Sequence, residues 1–97
     1  MARYRLSKDA ETDLLGIWEY IATDDERAAE AFHALLHEKF RALAFSPLIG
    51  IAANDVARGL RKFPVGNYLI YYRPIRGKLT ILRVIHGKRR QQRAFRK

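Results

Sequence analysis

A chain of 97 residues with 48% hydrophobic and 11% aromatic content can bury one small core and is too apolar for a disordered segment. The absence of cysteine excludes a disulfide framework and thiolate metal sites, and no apolar run nears the roughly 20 residues that span a bilayer. The net charge of +9 is segregated: residues 1–57 hold six Lys/Arg against ten carboxylates (−4), and residues 58–97 hold thirteen Lys/Arg and no carboxylate (+13).

The opening MARYRLSKDAE mixes charges into every short window and does not read as a secretory leader, so a cytoplasmic protein is expected. Ala2–Leu6 alternates and suits an opening strand. Ser7 then stands as an N-cap, with Asp9 and Glu11 where a helix dipole favours negative charge. Ala10, Leu14, Ile17, Trp18 and Ile21 follow at helical spacing and define a buried stripe. Thr23-Asp24-Asp25 breaks that pattern. A second helix is predicted from about Glu26 to Phe45, with Ala29, Phe32, Leu36, Phe40 and Leu43 on its apolar face. Ser46-Pro47 and Gly50 end it, since proline cannot continue the hydrogen-bond ladder. Two helices joined by so short a turn form an antiparallel hairpin.

Residues Ile51–Ala57 read as a loop. Three strands are predicted after it: Arg58–Phe63, Tyr68–Arg73 and Leu79–His86. Pro64-Val65-Gly66-Asn67 and Pro74-Ile75-Arg76-Gly77 are the expected turns. The run Tyr68-Leu69-Ile70-Tyr71-Tyr72 is apolar on both faces and is therefore placed centrally. The expected fold is α+β: β-αα-βββ, a helical hairpin packed on a small, mostly antiparallel sheet. The whole chain, 1–97, is expected to be one domain, with 88–97 a basic C-terminal segment.

Few constellations suggest chemistry. His33 and His37 lie four apart on a helix, but no H-E-x-x-H pattern accompanies them, and a solvent-facing pair is the favoured reading. Gly59, Gly66, Gly77 and Gly87 each fall at a strand end or turn, so no phosphate-cradling loop is present. Ser7 and Ser46 have structural roles, which leaves no nucleophile triad, and no cofactor or metal is expected. Trp18, Tyr20, Tyr68, Tyr71 and Tyr72 read as core, rim and sheet packing.

The basic sheet and tail remain. Arg58, Arg61, Lys62, Arg73, Arg83, Lys88, Arg89, Arg90, Arg93 and Arg96 are candidates for one cationic face with tyrosines between them. Such a surface suits phosphate backbone, an acidic protein, or both, so contact with nucleic acid through sheet and tail stays open. Arg83 is the sharpest candidate. It interrupts the apolar Leu79-Thr80-Ile81-Leu82-Arg83-Val84-Ile85, where a charge is costly unless paired or facing a functional concavity.

Three stretches, YRLSKDAETDLLGIWEYIA, GLRKFPVGNYLIYYR and LRVIHGKRR, resemble in order and spacing the RelE/ParE superfamily of bacterial type II toxins, over nearly the whole chain. The resemblance implies a small toxin neutralised by an antitoxin, expected here to be acidic, partly disordered and laid over the helical hairpin towards the sheet. RelE-like members cut messenger RNA on the ribosome, whereas ParE-like members inhibit DNA gyrase by binding.

RNA cleavage needs a proton acceptor, cations for the phosphate and an acid for the leaving oxygen. RelE-like tails have an arginine after Gly-Lys and a tyrosine six residues later. Gly87-Lys88-Arg89 matches, but Phe95 stands at the tyrosine position and cannot handle a proton. Leu69 stands where the RelE-like middle strand has an arginine, and of a lysine pair in the preceding strand Lys62 matches while Leu60 does not. The phrase RVIHGKRR is typical of the ParE-like branch.

The favoured expectation is therefore a gyrase inhibitor, not an enzyme, that contacts its target through Arg83, His86, Lys88, Arg89, Arg90, Arg93 and Phe95. A ribosome-dependent endonuclease using Arg61, Arg83, His86 and Arg89 is the alternative.

Overall fold

The computed structural model describes residues 3–88. Strand β1 (Tyr4–Leu6) leads into helices α1 (Lys8–Ala22) and α2 (Glu26–Phe45). A single 3-10 turn (Pro47–Ile49) then gives way to β2 (Ile51–Ala52), β3 (Arg61–Val65), β4 (Tyr68–Ile75) and β5 (Lys78–His86). The five strands form one sheet in the order β1-β5-β4-β3-β2. Only β1 runs parallel to its neighbour, β5; the other pairings are antiparallel. The α+β architecture and the helical hairpin stand as the sequence pattern predicts.

The helices begin where their caps say they should. Ser7 Oγ accepts from the Ala10 N–H at 3.0 Å and donates to the Leu82 carbonyl at 2.8 Å, so one hydroxyl starts α1 and ties it to β5. Asp25 caps α2 by accepting from the Ala28 N–H at 3.1 Å. Ala10, Leu14 and Ile17 of α1 join Leu36, Phe40 and Leu43 of α2 over Ile70, Tyr72, Ile81 and Val84 of the sheet. Burying side chains of this size stabilises the fold by roughly 1.5–3 kcal/mol each.

Because side chains alternate along a strand, Tyr71 faces away from its neighbours Ile70 and Tyr72. There it packs with Ala53, Leu60 and Ile85 in a second cluster under the 53–60 segment. That segment closes on itself through the Ala53 N–H to the Leu60 carbonyl (2.8 Å) and the Gly59 N–H to the Asn54 side chain (2.8 Å).

Several predicted boundaries move. The opening strand starts at Tyr4, and the predicted 51–57 loop contributes the edge strand β2. The strand predicted over Arg58–Phe63 runs instead over Arg61–Val65, because Gly59 has a φ of +77° and residues 58–60 are turning. Both predicted four-residue turns shrink to two residues, Gly66-Asn67 and Arg76-Gly77. In the second, φ is positive at both residues (+53° and +76°), as a type I′ hairpin turn requires. Pro64 and Pro74 consequently lie inside strands. Each sits where its strand lacks a neighbour on one side: β2 covers β3 only at Arg61 and Lys62, and β3 covers β4 only as far as Tyr72.

Candidate functional site

Strand β5 carries the decisive irregularity. Tyr71 pairs with Arg83, but the next pair is Tyr72 with Ile81, so Leu82 is an extra residue on β5. Such a bulge re-aims the side chains around it. Val84 belongs to the cluster beneath the helices, and Arg83, its neighbour in sequence, also reaches α1. Arg83 Nε donates to Asp13 Oδ2 at 2.7 Å and Nη2 donates to Asp13 Oδ1 at 3.0 Å, a two-pronged pair. Asp13 Oδ2 also accepts from the Val84 N–H at 2.9 Å. The hydrogen bonds it donates to Asp13 raise the Arg83 guanidinium above its already high ordinary value, and its charge is permanent. The costly charge in an apolar strand is thus paired, and the pair bolts β5 to α1.

Arg61 is similarly committed. Its Nη1 donates to the Gly50 carbonyl at 2.6 Å, while the Gly50 N–H donates to the Tyr72 hydroxyl at 2.9 Å. That hydroxyl donates onward to the Pro47 carbonyl at 2.7 Å. The Tyr72 phenol is pushed up by burial, against the lowering effects of the Gly50 bond and Arg61, so it stays protonated and able to donate. Gly50 is indispensable in this knot, since a Cβ there would collide with the Tyr72 hydroxyl and crowd the Lys62 carbonyl. Arg73 donates to the Arg58 carbonyl at 2.9 Å and braces the 53–60 segment. The arginines of the sheet therefore hold different elements instead of converging on one point.

His86 ends β5 beside the Tyr68 ring, edge-on, with centroids 5.3 Å apart. Its Nδ1 accepts from the Lys88 N–H at 3.1 Å, and among the described residues Nε2 has no hydrogen-bond partner. Tyr68 and His86 line a cavity of about 320 Å³ with Asp13, Gly16, Ile17 and Tyr20 of α1. Burial, with Tyr20 as a lesser cause, raises the Tyr68 phenol, so it is neutral at physiological pH. Lys88 is exposed next to this cavity. Of the residues singled out in the sequence, Arg89, Arg90, Arg93 and Phe95 lie outside the described ones. Among the rest, His86 and Lys88 sit together at the cationic end of β5, Arg83 is turned towards α1, and Arg61 lies across β4 on β3.

Sequence reasoning missed Asp13. Half of the signal was available: Asp13 adjoins Leu14 of the buried stripe, and Arg83 is the one charge in an apolar strand. The histidines of α2 also differ from a plain solvent pair. His33 is exposed, but His37 is half-buried, shares a hydrogen bond between its Nδ1 and the Tyr4 hydroxyl, and lies 4.6 Å from the His33 ring. Burial, then the nearby His33 and Arg41, lowers the His37 pKa. Among the described residues no group of three or more His, Cys, Asp or Glu side chains is arranged to hold a metal ion.

The family model for the ParE toxin of type II toxin–antitoxin systems (parDE) matches residues 4–91. This chain belongs to the ParE toxin family. Two proteins named Toxin ParE1, from Mycobacterium tuberculosis strains CDC 1551 / Oshkosh and ATCC 25618 / H37Rv, are each 33% identical to it over 90 residues. The match covers 90% of this chain and 91% of each relative. A solved structure described as the chromosomal ParDE TA system from P. aeruginosa superposes with a TM-score of 0.76. That match covers 91% of this chain and 98% of the other at 18% identity, and it establishes a shared fold. No helix among the described residues is long and apolar enough to cross a membrane.

Proposed function

We propose that this ParE toxin inhibits DNA gyrase by binding it, without catalysis, and that a cognate antitoxin neutralises it in the cytoplasm. The contact surface is the cationic end of β5 and the segment after it: His86, Lys88, Arg89, Arg90, Arg93 and Phe95. In this reading the chain is one domain, with 88–97 as its target-contacting segment. Arg83 acts one step back, as a positioning residue that fixes the end of β5 against α1 through Asp13. Any contact with nucleic acid would be to the DNA that gyrase holds.

One observation carries the binding reading over cleavage. Two of the four residues a nuclease would draw on, Arg61 and Arg83, already donate their guanidinium hydrogens to Gly50 and Asp13. A phosphate-stabilising arginine must aim its donors at the developing charge, and these aim into the protein. The phenylalanine at position 95 and the thirteen cations of residues 58–97, a stretch without a carboxylate of its own, point the same way.

The reading is tested by titrating the purified chain into a gyrase supercoiling reaction. Inhibition, with or without trapped cleaved DNA, is expected. Intact supercoiling combined with codon-specific cuts on translating ribosomes would overturn it in favour of the endonuclease.

A further inference from the structure

The histidines of α2 form a cluster that the proposed gyrase contact does not use. His33 and His37 stand about one helical turn apart, with ring centres separated by 4.6 Å and planes tilted by 56°. Both line a cavity of about 420 Å³ between β1, α1 and α2, together with Trp18 of α1 and the side chains of Glu11 and Glu30. A metal ion about 2.0–2.1 Å from one nitrogen of each ring lies about 3.2 Å from each ring centre. Ligands at about 90° then set the centres roughly 4.5 Å apart, and tetrahedral ligands roughly 5.2 Å apart. The spacing of the pair is that of the right-angled arrangement.

His37 is prepared for ligation by its surroundings. Its Nδ1 shares a hydrogen bond with the Tyr4 hydroxyl, and its ring meets Phe40 edge-on with centroids 5.2 Å apart. These contacts orient the imidazole and leave Nε2 for a ligand. Ligation at Nε2 requires the proton on Nδ1, where the Tyr4 oxygen accepts it, as the outer partner of a metal-bound histidine does. Burial, then His33 and Arg41, lowers the His37 pKa, so at neutral pH no proton must leave this ring before a metal binds. His33 is exposed, and its ring can turn to meet the same ion.

The charges around the pair act in both directions. Arg41 of α2 disfavours a cation, whereas Glu11 of α1 and Glu30 of α2, on the cavity wall, favour one. These carboxylates do not join the histidines as a set of three ligands, so two imidazoles are the protein's share and water supplies the rest.

We propose that His33 and His37 chelate a divalent late transition ion, Ni²⁺ or Cu²⁺, through two imidazole nitrogens at a right angle, with Tyr4 as the positioning residue of His37. Imidazole ligands and this geometry select such ions over Mg²⁺ and Ca²⁺, which take oxygen ligands. The site does not depend on gyrase as the target, and a negative supercoiling assay leaves it standing.

Trp18 is the only tryptophan of the chain and lines the same cavity, so its emission reports an ion held there. The probe is Ni²⁺ alone, titrated into the full chain at neutral pH, with Mg²⁺ as the comparison. Ni²⁺ is expected to quench Trp18 in a saturable way and to raise Tm, and Mg²⁺ to do neither. His33→Gln, at an exposed position, should abolish the saturable quenching, and His86→Gln should leave it unchanged. Tyr4→Phe retains both ligands and should weaken binding by about 10–100-fold. Absence of saturable quenching in the unaltered chain would overturn the proposal, as would the same midpoint in His33→Gln. An unchanged midpoint in Tyr4→Phe would overturn the positioning role of Tyr4, since a merely structural Tyr4–His37 bond moves Tm and not the affinity for Ni²⁺.

Discussion

The helical hairpin and the sheet end of this toxin are held together by different means. Between α1 and α2 the contacts are apolar: Leu14, Ile17, Leu36, Phe40 and Leu43 interlock at helical spacing. Across β3, β4 and β5 the fold depends on directional bonds from charged and phenolic groups, namely Arg83 to Asp13, Arg61 to Gly50 and Tyr72 to Pro47. The surfaces differ as well. Nine of the ten carboxylates lie in residues 8–45, and thirteen cations lie beyond residue 57. Cations therefore have two employments at the sheet end, one structural and one outward, which total charge alone cannot separate.

Substitutions that split these employments sharpen the comparison. Asp13→Ala has the largest expected effect. It removes the Asp13 carboxylate from the Arg83 guanidinium, with a side chain 17% exposed, and from the Val84 N–H. A loss of about 3 kcal/mol is expected in urea unfolding, and the double variant Asp13→Ala/Arg83→Met should recover part of it. If the double variant is no more stable than the single, the pairing account of Arg83 is wrong.

Gly50→Ala comes next. A Cβ there must displace the Tyr72 hydroxyl, so a loss of about 2 kcal/mol is expected, seen as a lower Tm. Gly16, which is exposed where Gly50 is buried, gives the opposite sign. It lies within α1, and a Cβ there meets nothing within 4 Å. Gly16→Ala should therefore stabilise by about 0.5–1 kcal/mol, and a fall in Tm would show a constraint at that position which the packing does not contain.

The smallest effect is a pH dependence. His37 has its pKa lowered in the folded state from the ordinary 6.5, so below that value the unfolded chain binds a proton more readily. Stability is then full above pH 6.5 and declines as pH falls through the depressed value. In His37→Phe this part of the slope should vanish below pH 6.5; an unchanged slope would assign it elsewhere.

The hairpin was legible in the sequence because its periodicity, caps and breaker all agree: Ser7, Asp25 and Pro47 mark three boundaries correctly. The sheet was less so. Pro64 and Pro74 were read as turn residues because proline usually is one, yet each occupies a strand edge without a neighbour, a property of the assembled sheet. Residues 53–60 were read partly as loop and partly as strand because their apolar side chains face a second small core that no periodicity announces. Arg83 was visible as an anomaly, but not as a paired one. Its partner lies 70 positions earlier, and the bulge at Leu82 that turns it towards α1 leaves no mark in the composition. The end of β5 with His86 and Lys88 was legible as a cationic terminus because nothing acidic follows Asp55.

The most direct test of the central claim, that the outward cations act on gyrase while Arg83 acts on the fold, is a supercoiling titration with three chains. These are the unaltered toxin, Lys88→Glu/Arg89→Glu/Arg90→Glu and Asp13→Ala/Arg83→Met, compared at a temperature where all three are folded. The unaltered toxin and the Asp13/Arg83 variant should inhibit within a few-fold of each other, and the charge-reversed chain should require at least about tenfold more protein. A charge-reversed chain that inhibits as well as the unaltered one, or an unaltered toxin that leaves supercoiling intact, would contradict the account.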